Sequence, residues 1–125
     1  QRLALRALFP LLRFLISRSF RITPRHTEKA TANIGALMAD AERKLDDGRR
    51  SLLGGDAIDF VDISFASIMA LWLQPASFGA DTAEHVKIPP DRLPDPMRQD
   101  IENWRESFPK ATAFIEQLYR ERTTA

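Results

Sequence analysis

The 125-residue sequence contains no cysteine. Disulfides, thiolate metal sites and a cysteine nucleophile are therefore excluded within it. Histidine is scarce. His26 and His85 fall in different segments and share no helical face, so no imidazole pair is available as ligands or as a base and its partner. Charge of either sign is not in excess: 18 basic against 17 acidic residues leave +1. That balance supplies no general field, and neither nucleic acid nor membrane is expected as a partner. Apolar runs are short, and none reaches the roughly 18 residues that a spanning helix needs. The first residues lack the basic, apolar and small-residue order of a secretory leader. The expected location is therefore cytoplasmic. The sequence starts at Gln1, already in helical period, and reads as a piece of a longer protein.

What is present is helical period. Five segments carry it, and none alternates as a strand. In the first, Arg2 to Phe20, the residues Arg2, Arg6 and Arg13 share one narrow face with Pro10 and Ser17. Leu5, Phe9, Leu12 and Ile16 make one apolar stripe, and Ala4, Leu8, Leu11 and Leu15 make the next. One stripe serves an ordinary edge helix. Two stripes predict that this helix packs on two things. The second segment runs from Pro24 to Asp47 after a Thr23 cap. The fourth (Asp95 to Ser107) and fifth (Pro109 to Arg122) lie beyond a long proline-bearing loop. The expected fold is an all-α five-helix bundle, residues 1–125 forming one domain.

The third segment carries the most information. "GGDAIDFVDISFASIMALWL", Gly54 to Leu73, places Asp56, Asp59 and Asp62 before eleven residues with no charge. Paired carboxylates can bind a metal or move protons. No third ligand lies nearby, so neither a metal site nor a catalytic residue is expected. Asp59 fits instead as N-cap, with Asp62 at the third helical position reaching back to the amide of Asp59. Ile58 and Ile63 occupy the two positions of a hydrophobic staple. Both acids also face the positive end of the helix dipole. The helix they open, about 59–74, is expected to be central and buried on all sides.

These residues carry a resemblance. Gly54-Gly55, Ile58, Asp59, Phe60-Val61 and Asp62 resemble the motif that opens the buried sixth helix of glutathione transferases. Asp59 stands where that family usually has Ser or Thr. "AERKLDDGRRSLLGGDAIDFVDISFAS" (Ala41–Ser67) is similar to the family's approach to that helix. "LWLQPASFG" (Leu71–Gly79) and "IENWRESFPKATAFIEQLYRERT" (Ile101–Thr123) look like the segments beyond that helix in bacterial members. The resemblance covers nearly the whole chain and implies the family's C-terminal all-helical domain.

That resemblance implies a division of labour. Glutathione, and the residue that activates its thiol, belong to an N-terminal thioredoxin-like domain that this sequence does not contain. The helical domain would supply the apolar pocket for a hydrophobic small-molecule electrophile, and contacts of a homodimer. The implied pocket residues are Leu5, Phe9, Leu12 and Ile16, with Arg13 at the rim. A different class of function is a non-enzymatic module of the same fold, in which the stripe on the first helix binds a protein partner.

Overall fold

The computed structural model describes residues 2–20, 23–79 and 83–124; side chains are described at 9–20, 23–79, 83 and 85–121. Among these residues the chain is all-α. Five helices, α1 (Arg2–Ser19), α2 (Pro24–Leu45), α3 (Phe60–Leu73), α4 (Asp95–Ser107) and α5 (Pro109–Thr124), are joined by loops and two short 3-10 turns, Glu84–Val86 and Pro90–Arg92. No strand occurs among the described residues. The chain divides into two compact units, residues 1–33 and 34–125.

In the first unit, α1 runs without interruption through Pro10. Its described apolar side chains are exposed: Phe9, Leu11, Leu12, Phe14, Leu15 and Ile16, with Phe20 just beyond the helix. Thr23 caps α2. Its Oγ1 accepts from the amide of His26 at 3.3 Å, and the His26 ring Nδ1 lies 2.6 Å from the same oxygen. The cap and Pro24 behind it satisfy the start of α2 as the sequence predicts.

The second unit holds the core. Met38, Ala41 and Leu45 of α2 meet Ala66, Met69 and Leu73 of α3, Ile101 and Trp104 of α4, and Ala111 and Ile115 of α5. α3 packs against both α4 and α5, and α4 packs on α5. Met38, Met69 and Ile115 have almost no exposed surface. Each such side chain contributes about 1.5–3 kcal/mol relative to an exposed one.

The position of α3 differs from the expectation. It is buried on one side only. Asp62, Ala66, Met69, Ala70 and Leu73 face the core, spaced by four, three, one and three residues as one helical face. Phe60 is 81% exposed, Ile63 55%, Ile68 56% and Leu71 61%. The reason is geometric. An apolar residue at every helical position permits burial all round, but α4, α5 and the end of α2 supply cover for one side.

Candidate functional site

The start of α3 is built almost wholly from backbone amides and two carboxylates. Asp59 has extended backbone, and its Oδ1 accepts from the amides of Val61 at 2.8 Å and Asp62 at 3.1 Å. Asp62 Oδ2 accepts from the amide of Asp59 at 2.9 Å. Those bonds form the reciprocal capping box. Asp62 does more than close the box. Its Oδ1 accepts from the amide of Leu52 at 2.8 Å, across the Gly54 turn. Gly54 has a φ of +81°, a conformation that a Cβ disfavours. Ser51, itself buried, donates from Oγ to Asp59 Oδ2 at 3.4 Å. Asp62 is fully buried, and both of its oxygens are taken by main-chain donors.

This arrangement leaves the acids little chemistry to perform. A general base needs a free lone pair aimed at a substrate. The described oxygens of Asp62 point at amides. No group of three or more His, Cys, Asp or Glu side chains among the described residues is placed to hold a metal ion. Of the two staple positions, Ile58 is half-buried and lines a hollow with Phe114 and Leu118 of α5. Ile63 is more than half exposed.

The residues implied for an electrophile pocket lie on α1. Phe9 and Arg13 come together, with Pro10, Phe14 and Ser17, around a shallow hollow of about 370 Å³. The spacing of four places them one above the other on the helix surface. Leu12 and Ile16 lie on the adjoining arc and are 46% and 48% exposed. The side chain of Leu5 lies outside the described residues. The hollow is mostly apolar, with the Arg13 guanidinium and the Ser17 hydroxyl as its polar groups.

A larger cavity, of about 640 Å³, was not foreseen from the sequence. Trp72, Leu73 and Gln74 at the end of α3 form one wall, Ile88 to Pro90 a second, and Ile101 and Arg105 of α4 a third. Its size falls within the range of small-molecule pockets. The polar groups around it hold the fold. Arg105 donates to the carbonyl of Leu73 and pairs with Glu116 at 3.3 Å. Lys87 donates to the carbonyl of Ala76. Gln74, at a φ of +44°, caps α3, and its Oε1 accepts from the amide of Ile88 at 2.9 Å. The sequence signal for this wall was the long proline-bearing loop from Pro75 to about Leu93.

Elsewhere the electrostatics are those of surface pairs. Arg49 beside Asp47 holds that carboxyl down at about 2, through its guanidinium first and its amide second. Both side chains reach solvent. Compared with family models, with curated proteins and with solved structures, the chain matches none.

Proposed function

We propose that this chain is the C-terminal helical domain of a glutathione transferase-like protein. The observation that carries the reading is the start of α3. An acidic capping box opens an uncharged helix, and its second carboxylate is fully buried on the amide of the preceding turn. That is the part of the sequence that resembles the family's motif, with Asp59 where the family usually has Ser or Thr. In the parent, α1 would line the electrophile pocket through Phe9, Leu12 and Ile16, with Arg13 at the rim, and would share in the contacts of a homodimer.

The chemistry divides accordingly. Glutathione is a tripeptide with two free carboxylates and needs several donors. The hollow on α1 offers one cation, Arg13, and one hydroxyl, Ser17. This chain therefore suits the electrophile side, and the peptide would be held by the thioredoxin-like domain. That domain would also lower the thiol pKa so that thiolate attacks the electrophile. What α1 contributes is an apolar wall that orients the electrophile and excludes water from the thiolate.

The exposed apolar row of α1 also favours a second reading, a non-enzymatic assembly module. One experiment separates the two. The full-length source protein is assayed for conjugation of glutathione to an aryl halide, with and without Phe9→Ala. The pocket reading predicts conjugation, and a raised KM for the halide in the variant with an unchanged melting temperature. Activity unaffected by Phe9→Ala, with lost stability, would move Phe9 to a packing role. Absence of any conjugation would favour the assembly module.

A further inference from the structure

The net charge of +1 conceals two opposed parts. Residues 1–27 hold six arginines and no acid, which is +6; the remaining twelve cations and seventeen acids leave 28–125 at −5. Asymmetry of this kind points to a polyanionic partner at the basic end. Four of the six arginines are on α1. On that helix Leu11, Phe14, Leu15 and Arg18 stand at i, i+3, i+4 and i+7, so they share one face. Leu11 is 57% exposed, Phe14 61% and Leu15 54%, and Arg18 is exposed beside them.

We propose that this face binds an anionic lipid surface, α1 lying in the plane of the bilayer interface. Three physical points select lipid. First, no described helix is long and apolar enough to cross a membrane, so the helix would lie on the surface. Second, α1 is basic and amphipathic: Arg2, Arg6 and Arg13 share one narrow face, and apolar residues with Arg18 among them take the opposite one. Burying Arg18 among Leu11, Phe14 and Leu15 in a dry interface would require a partner acid, since a buried guanidinium without one is costly. At a bilayer the apolar groups enter the acyl boundary while arginine stems extend to the headgroups. Third, the absence of any acid before Glu28 removes repulsion from anionic headgroups along the whole helix. The proposal is independent of the parentage argued above. It uses Leu11, Leu15 and Arg18 with Phe14, which also borders the hollow of Phe9 and Arg13, and leaves Phe9, Leu12 and Ile16 to the pocket.

The test is co-sedimentation of the 125-residue chain with vesicles. Phosphatidylcholine alone is compared with phosphatidylcholine containing phosphatidylglycerol, at low and raised salt. Binding is expected only with phosphatidylglycerol, and should be released by salt. Arg18→Gln should weaken it about fivefold. Leu11→Ser with Leu15→Ser should abolish it, while the tryptophan fluorescence melt of the helical core, from Trp72 and Trp104, stays unchanged. Should a variant fail that control, the comparison of the two lipids on the unmodified chain decides alone. Equal binding to both vesicles, or to neither, overturns the proposal. So does a chain that ignores vesicles but forms a dimer which Leu11→Ser with Leu15→Ser dissociates, since the face would then bind a second copy. None of these outcomes bears on glutathione conjugation, which is read on the full-length protein.

Discussion

Asp62 is an ionisable side chain with no exposed surface, and its two oxygens explain how that is tolerated. One accepts from Leu52 and the other from Asp59, both through main-chain amides. A carboxylate so held replaces its lost hydration with charge-assisted bonds. Removing it strands two amides, and each buried donor left unpaired costs about 1–3 kcal/mol. Asp62→Ala should therefore lower stability by about 3 kcal/mol or more. Asp59→Ala, the loss of a partly exposed cap, should cost about 1 kcal/mol. Urea unfolding of the two variants checks the order; equal losses would mean that the bond to Leu52 carries nothing. The capping pair was legible because it depends on a spacing of three. The bond to Leu52 was not, because it spans ten residues across a turn whose geometry is set by Gly54.

Among the helices, the local signals located the ends better than the faces. Thr23-Pro24 and Phe108-Pro109 mark starts that the structure keeps. Phe108, however, has no side-chain oxygen to cap α5. The missing acceptor comes from α2: Glu42 Oε2 accepts from the amide of Ala111 at 2.7 Å, and Lys110 pairs with Asp46 nearby. No sequence pattern links residues 69 apart. Glu42→Ala should cost about 1 kcal/mol, as losing any helix cap does, and hydrogen exchange should rise first at the N-terminal amides of α5. A uniform rise across the core would contradict a local capping role. The faces of α3 were misread for a related reason. Periodicity is silent when every position is apolar, so which side is covered depends on what the other helices bring.

For the molecule as a whole, helical periodicity gave the all-α class, and the lack of cysteine excluded thiol chemistry and a thiolate metal cluster within the sequence. Composition masked the charge division between residues 1–27 and the rest, which a total of +1 averages away. Of the candidate site, the pairing of Phe9 with Arg13 was legible, being a spacing of four on one helix. The cavity beside Trp72 was not, because residues 87–93 form its wall only after folding. The proposal that this chain is the helical domain of a glutathione transferase-like protein rests on the motif at α3 and on the apolar surface of α1. Its most direct test is the intact mass and N-terminal sequence of the protein isolated from its source cell. A chain of about twice this size, by the usual domain length, opening with a thioredoxin-like βαβ segment, is the predicted result. A native chain that starts near Gln1 would contradict it.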